Sequence, residues 1–301
     1  MKGRQLLTAS LILAAAGFTS VWPVMAGGQF KSFPETIAPD GAYVLAWGAT
    51  QEPAGNTAKL TEVPYEDEAF DEVNRKGNVS NYLVDAATHK IVATIPGFEY
   101  FRGPKGHKNR GDLEMAWSPN AQSGLAIFDG RWGSEAIVWI EPRSRKLVDA
   151  QKQLEKGFYD MLRKSEPTFK HGDVLFREAA IPKAGLLIVR ASATIPKERD
   201  TAEYLMKFKI TGQGESVQFR LAGSRRLPEE PESEDADKEV ELNKVYNQVR
   251  AKLPQKQRDT LRGEQTRWLK LREAMGDQES RELFTQHRIW ELRALSESDR
   301  T

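Results

Sequence analysis

The stretch Leu261-Arg262-Gly263-Glu264-Gln265-Thr266-Arg267-Trp268 lies in the last fifth of the chain, where the sequence pattern is most specific. Three residues of this stretch and two that follow it recur at steps of three and four, the spacing that places side chains on one face of a helix. They are Leu261, Gln265, Trp268, Arg272 and Met275. The stretch therefore predicts a helix whose buried face carries a tryptophan together with two polar side chains.

Helical patterns flank this predicted helix on both sides. Before it, Pro254 fits a first helical turn, where a missing amide proton costs nothing. The apolar seam of the preceding helix consists of Leu242, Tyr246, Val249 and Leu253. After it, Gly276 is a natural stop and Asp277 a natural cap for a last helix. The inward positions of that helix are Thr285, Arg288, Ile289, Leu292 and Leu295. Three helices with short connections predict an antiparallel bundle over residues 239–297.

Two polar residues, Gln265 and Arg272, lie on the apolar face beside Trp268. A buried guanidinium needs a charged partner, since removing the partner is strongly destabilising. We expect Glu291 on the last helix or Glu241 on the first to pair with Arg272. The pattern has two interpretations. It describes either a structural network that sets the register of the helices, or a recognition surface, because binding hot spots favour tryptophan and arginine.

The combined pattern resembles the lysozyme-inhibitor LprI-like domain. That family has Leu-Asn-x-x-Tyr on its first helix, Leu-x-x-x-Gln-x-x-Trp-x-x-x-Arg on its second and Thr-x-x-Arg-x-x-Glu-Leu on its last. The matching positions are Leu242, Asn243, Tyr246, Leu261, Gln265, Trp268, Arg272, Thr285, Arg288, Glu291 and Leu292. The resemblance covers Asp237 to Leu295. Family members usually carry cysteines after the arginine and before the last helix, and this chain has none.

The resemblance implies an exported protein that binds and inhibits lysozyme. The binding residues it implies are Tyr246, Gln265, Trp268, Arg272, Arg288 and Glu291. Lysozymes are typically cationic, with two catalytic carboxylates in a cleft, so an inhibitor needs an acidic surface for steering. The acidic run at 229–237 supplies such charge. Its composition is also that of a solvated, flexible linker.

The amino terminus has the pattern of an export signal. Lys2 and Arg4 form a positive region, residues 6–18 an apolar run, and Val24-Met25-Ala26 a cleavage site. The apolar run is shorter than the about 20 residues that a membrane-spanning helix requires. We predict a signal peptide over residues 1–26, a periplasmic or secreted protein, and no transmembrane segment after cleavage.

Composition excludes several classes of function. The chain has no cysteine, which excludes a lipoprotein anchor, disulfides and thiolate zinc sites. Its 44 basic and 43 acidic residues leave no excess charge for binding nucleic acid. The four histidines lack metal-ligand spacing, and we interpret them as surface or turn residues: His89, His107, His171 and His287. We therefore predict no catalytic residues, no metal site and no cofactor, and a protein that is not an enzyme.

Residues 30–225 have the pattern of a β-rich domain built from three similar units. Each unit is a turn, a strand, a loop, a second strand, a short turn and a third strand. The predicted strands are 42–47, 80–85 and 90–95, then 124–128, 135–140 and 146–149, then 185–191, 203–210 and 216–221. The turns that open the units are Pro39-Asp40-Gly41, Trp117-Ser118-Pro119-Asn120 and Ile181-Pro182-Lys183. A helix over residues 148–164, with Leu154, Phe158, Met161 and Leu162 on one stripe, covers the sheet.

The first two opening turns resemble those that precede the inner strand in WD40-like or TolB-like β-propellers. Propellers normally have at least four blades, and an incomplete one leaves strand edges exposed. An open meander or a sandwich is therefore the alternative to propeller-like blades.

Taken together, the sequence predicts an α+β chain in which a β-rich domain (30–225) is joined by an acidic linker (226–238) to an antiparallel three-helix bundle (239–297). The predicted function is that of an exported binding protein, similar to lysozyme inhibitors and acting through the bundle. The alternative is an envelope scaffold whose β-domain binds protein or polysaccharide while the bundle is structural. The predicted partner is a protein such as lysozyme, or an envelope polysaccharide.

Overall fold

The computed structural model describes residues 30–49, 79–96, 100–101, 112–130, 133–165, 169, 174–194, 201–228 and 237–298. The predicted signal peptide, most of the predicted acidic linker, and His107 and His171 lie outside these ranges. Within them, no helix combines the length and the apolar character that crossing a bilayer requires.

Three antiparallel sheets, each with four strands in chain order, make up the described part of the N-terminal region. The first sheet contains β1 (Phe30–Ser32), β2 (Tyr43–Ala49), β3 (Val79–Asp85) and β4 (Lys90–Ile95). The second contains β5 (Asp112–Trp117), β6 (Gly124–Asp129), β7 (Ser134–Glu141) and β8 (Lys146–Asp149). The third contains β9 (Val174–Lys183), β10 (Leu186–Thr194), β11 (Thr201–Thr211) and β12 (Gln218–Arg226). Each sheet corresponds to one of the three predicted units.

Four helices complete the described chain. They are α1 (Gln151–Ser165), α2 (Lys238–Lys252), α3 (Gln255–Glu273) and α4 (Gln278–Glu297). Helix α1 corresponds to the helix predicted at 148–164, and its four predicted stripe residues are all buried. The predicted α+β class, with sheets followed by helices, is confirmed.

Each sheet has one strand more than its predicted unit, at the N-terminal side. The prediction missed β1 because it has only three residues. It assigned Ile181-Pro182-Lys183 to a turn, whereas these residues form the end of β9. Proline is tolerated there because β9 is an edge strand that pairs only with β10. The turn itself follows Lys183.

The first strands and a helix form a closed circuit of contacts. The 3-10 turn Pro34–Thr36, which follows β1, packs against β5, and β5 packs against β9. Helix α4 packs against both β9 and the 3-10 turn, which closes the circuit. The indole nitrogen of Trp117 also donates to the Thr36 carbonyl at 2.8 Å. The last helix thus occupies the gap between the first and third sheets.

The largest core cluster lies between α1, the second sheet and the third sheet. Phe158 of α1 packs edge-on against Phe176 of β9, with ring centroids 5.9 Å apart, and against Tyr204 of β11 at 5.6 Å. All three side chains are buried. Burying such rings supplies much of the hydrophobic stabilisation of a fold, so α1 is an integral part of this region.

A second cluster joins the C-terminal helices to the first sheet. Leu242, Leu261 and Leu292 belong to the same buried cluster as Val44 of β2 and Val84 of β3. Helix α2 packs along α4, and α3 also contacts α4. The three helices therefore bury their apolar faces partly against one another and partly against the sheet, and the two predicted domains share a core.

Candidate binding site between the helices and the sheets

A cavity of about 90 Å³ lies where α3 and α4 meet the sheets. Its walls are mainly apolar, with Trp117 and Ile181 on the sheet side and Trp268 on the helix side. The charged or titratable groups that line it are Glu35, Glu264, Arg267, His287, Arg288 and Glu291. An apolar concavity with a few convergent polar groups is the usual form of a ligand site.

Trp268 is held between an aromatic ring and a cation. Its side chain is buried and stacks on Phe284, with ring centroids 5.2 Å apart and an angle of 11° between the rings. The Arg272 guanidinium carbon lies 5.0 Å from the indole centroid, within the range of a cation–π interaction. Trp268 is therefore fixed in one orientation, with its ring forming a wall of the cavity.

The partner of Arg272 is neither of the two glutamates expected from the sequence. Arg272 pairs with Glu239 at the start of α2. Glu291 instead pairs with Arg288 at 2.8 Å, and Glu241 pairs with Arg293. Residues two positions apart on a helix point in nearly opposite directions, so Glu241 faces away from the position that Glu239 occupies.

Arg288 connects α3 and α4 through hydrogen bonds. Its Nε donates to Gln265 Oε1 at 3.1 Å, and its Nη1 donates to Glu291 Oε2 at 2.8 Å. Its Nη2 is buried and has no hydrogen-bond partner among the described residues, and the same holds for Nε2 of the neighbouring His287. Buried polar atoms are nearly always hydrogen-bonded, so these two nitrogens identify the part of the cavity wall best suited to receive a polar group.

Glu264 is a partly buried carboxyl group on the cavity wall. Burial raises its pKa, the positive charge of Arg288 opposes the rise, and the negative charge of Glu291 adds to it. The side chain therefore holds its proton more readily than an exposed glutamate does.

A second cavity, of about 50 Å³, adjoins the first and shares Glu35, Met115 and His287 with it. Glu114 and Glu178 also line this second cavity. Burial, followed by the negative charges of Glu178 and three other carboxylates, raises the pKa of Glu114 to about 8. Glu114 keeps some accessible surface because it faces the cavity, but protein surrounds it. Its carboxyl group is therefore largely protonated at neutral pH.

A further carboxyl group with a raised pKa lies nearby in the second sheet. Burial raises the pKa of Asp129 to about 7, although a hydrogen bond from Ser134 Oγ, 2.6 Å long, acts in the opposite direction. Among the described residues, no group of three or more histidine or carboxylate side chains is arranged to hold a metal ion.

The C-terminal helices match a known family. Residues 231–299 match the family model described as lysozyme inhibitor LprI. The match covers less than a quarter of the chain and confirms the resemblance for the helices. No curated protein matches the chain, and the likeness of the sheets to propeller blades stays a prediction.

All six predicted binding residues lie in the LprI region, but the structure does not bring them together at one surface. Trp268, Arg288 and Glu291 line the cavity. Gln265 acts on it through Arg288. The other two lie apart: Tyr246 is half-buried against the shared core, and Arg272 lines a separate open groove.

The cavity also contains residues that the sequence did not identify. Glu264 belongs to the LprI region, and Glu35 and Trp117 come from the sheets. The sequence placed His287 at the surface or in a turn, and this is wrong. It lies within α4, next to Arg288, with only 14% of its side chain exposed. Its position beside an inward-facing arginine was the only available signal.

Proposed function

We propose that the protein is an exported, non-catalytic binding protein that inhibits lysozyme through its LprI region. The observation that carries the proposal is the family match over residues 231–299. The match brings the family's lysozyme-inhibitor description and its extracytoplasmic location, and the N-terminal sequence has the pattern of an export signal.

The surface we assign to lysozyme is an open groove of about 470 Å³ at the joined ends of the three helices. Arg272, Arg281 and Thr285 line it, together with Asp237 and Glu239. Arginine and hydroxyl groups donate hydrogen bonds, and the two catalytic carboxylates of a lysozyme would accept them. Asp237 is also the last residue of the acidic run that begins at 229. The run therefore continues directly into the groove, and its negative charge can attract a cationic enzyme.

The test is lysis of bacterial cell walls by a cationic lysozyme in the presence of the purified full chain. The isolated helices are unsuitable, because their apolar faces are partly covered by the first sheet. We expect inhibition at micromolar concentration, weakened at least tenfold by Arg281→Glu. The matched control is Arg262→Glu on the exposed face of α3, which should inhibit as the unmodified chain does. No inhibition at high micromolar concentration would refute the proposal.

The second candidate function is an envelope scaffold in which the helices are structural. The shared core and the inward orientation of Trp268 and Arg288 favour it. Under this alternative the sheets bind a protein or a polysaccharide, and lysozyme activity is unaffected. Capture of cell-wall glycan by the full chain, without inhibition of lysozyme, would support this candidate over the first.

A further inference from the structure

Three proline-containing segments from the three sheets meet at the cavity. Pro39 precedes β2, Pro119 follows β5, and Pro182 lies at the end of β9. These are the positions that open the three repeated units in the sequence. Pro119 and Arg267 are exposed, whereas Trp268 is buried, so the cavity meets solvent between Pro119 and Arg267 and the indole lies further from solvent. The fold thus directs equivalent segments of three sheets to one opening.

Two nitrogens of the residues that line the cavity have no hydrogen-bond partner in the part of the chain that the structure describes, and that of Arg288 is a donor. Arg288 Nη2 and His287 Nε2 are buried and unpartnered among the described residues. Arg288 is held in place by Gln265 and Glu291, so its guanidinium cannot turn toward solvent without breaking those bonds. A bound group at this position must therefore carry an acceptor oxygen.

The same cavity offers acceptors. Glu35, Glu264 and Glu291 line it, and the carboxyl group of Glu264 forms no hydrogen bond with any described residue. Three carboxylates disfavour an anionic ligand, and the two arginines and the unpartnered donors disfavour a cationic one. A neutral group that carries both a carbonyl and an N–H, with an apolar part for the walls, meets every requirement. This is the chemistry of an amide.

Size and wall composition decide which amide fits. A water molecule needs about 10–15 Å³ of such space, so the 90 Å³ corresponds to about six to nine water molecules, which is less than a whole N-acetylated sugar needs. An acetamido group has this size. Its parent sugar ring would stay at the mouth, beside the proline side chains, while its methyl group packs against aromatic and aliphatic walls such as Trp117 and Ile181.

We propose that this cavity binds the N-acetyl group of an amino sugar within a glycan. The acetamido oxygen accepts from Arg288 Nη2, and the acetamido N–H donates to a carboxylate of the cavity wall, with Glu264 the first choice because its carboxyl group forms no hydrogen bond with a described residue. The proposal does not depend on lysozyme inhibition, since the cavity and the open groove are separate sites with only the helices in common.

The test is calorimetric titration of the full chain with a trimer of N-acetylglucosamine and, separately, with cellotriose, which has the same linkage but no acetamido groups. We expect the N-acetylated trimer to bind with a Kd of about 1 mM or tighter, and cellotriose to bind at least tenfold more weakly. Arg288→Lys, which keeps the charge but removes Nη2, should weaken binding of the trimer at least tenfold. Arg262→Lys on the exposed face of α3 is the matched control and should leave it unchanged.

Equal affinity for the two trimers, or no binding of either, would overturn the proposal. Binding that survives both Arg288→Lys and Glu264→Met would also overturn it, because the glycan would then lie elsewhere. If Arg288→Lys does not fold, Glu264→Met decides alone, since this change keeps the length of the side chain, removes both acceptor oxygens and should weaken binding of the trimer. A glutamine-containing tripeptide that binds more tightly than the trimer would assign the cavity to a protein side chain instead. Because the readout is binding, the result is independent of the lysis assay.

Discussion

The hydroxyl of Ser280, at the start of α4, donates to Glu35 Oε2 over 3.1 Å, and both residues are buried. This hydrogen bond joins the 3-10 turn of the first sheet to the last helix, at a point beside both cavities. It is one of the polar contacts that fix the LprI region against the sheets, and it shows that the junction is more than an apolar contact.

Ser280→Ala should lower the free energy of unfolding by about 1–2 kcal/mol, because a buried carboxyl group loses one donor. Urea unfolding followed by circular dichroism measures the change. Ser296→Ala on the same helix is the control. Among the described residues, its hydroxyl accepts a single long hydrogen bond, from Lys252 Nζ at 3.5 Å, and its loss should change stability by less than about 0.5 kcal/mol. Equal effects of the two changes would mean that the hydrogen bond between Ser280 and Glu35 contributes no specific stabilisation.

Gly263→Ala should stabilise the protein by about 0.5–1 kcal/mol, because alanine favours the helical conformation and restricts the unfolded chain. Position 263 is within α3, and an added Cβ meets no atom within 4 Å. Gly157→Ala in α1 is the contrasting variant. There the Cβ would lie 2.7 Å from Phe208 Cε1 in a buried cluster, and we expect destabilisation. Melting temperatures that move in opposite directions would confirm both expectations.

Trp268→Ala should destabilise the protein by about 3–5 kcal/mol, the range for removal of a buried aromatic side chain. The change removes the stack on Phe284 and the ring beneath Arg272. Leu269→Ala is the adjacent control, since that side chain is 37% exposed, and its loss should cost much less. Chemical denaturation of the two variants tests the difference. Similar losses would mean that Trp268 contributes little to the shared core.

Stability should fall as pH rises from about 5 to about 8. The pKa of Glu114 is about 8 in the folded chain, against an ordinary value of 4.5, and that of Asp129 is about 7. The folded state therefore binds more protons than the unfolded state in this window, and deprotonation favours unfolding. The decline should level off only above about pH 9, about one unit above the pKa of Glu114, where both groups are mostly ionised in both states.

Glu114→Gln should flatten this pH dependence, because a neutral amide replaces the carboxyl group with the larger shift. Urea midpoints at pH 5, 6, 7 and 8 give the slope for each variant. Glu135→Gln, at an exposed position of β7, serves as the control and should keep the slope of the unmodified chain. A Glu114→Gln variant with an unchanged slope would assign the pH dependence to other groups.

Local patterns in the sequence were sufficient for most secondary structure elements. The 3.6-residue period around Leu261 and Trp268 predicted α3 and its buried face, and the stripe through Leu154 and Phe158 predicted α1. The family motif in the LprI region was also readable, since it rests on side-chain identity at fixed spacing. The first strand of each sheet was not readable. β1 has only three residues, too few to show a period, and it forms because β2 is available for pairing. β9 has ten residues, but the prediction assigned its end, which contains Pro182, to a turn.

The contacts that form the candidate site could not be predicted from the sequence. Glu35 and Ser280 are 245 positions apart, and nothing in either local segment indicates the other. From charge and helix face, the sequence predicted Glu291 or Glu241 as the partner of Arg272. The rotation of α2 about its axis instead places Glu239 next to Arg272. Long-range contacts of this kind depend on how whole elements pack.

The sequence by itself thus determined the helices with most of their buried faces, three strands of each sheet and the LprI resemblance of the C-terminal region, because each depends on spacing over a short stretch of chain. Only the tertiary structure decided that the helices share a core with the first sheet and that His287 and Arg288 line a cavity together with Pro39, Pro119 and Pro182. The physical reason is that apolar burial sets how the layers dock, and the docking then places polar groups that have no local relationship in the chain.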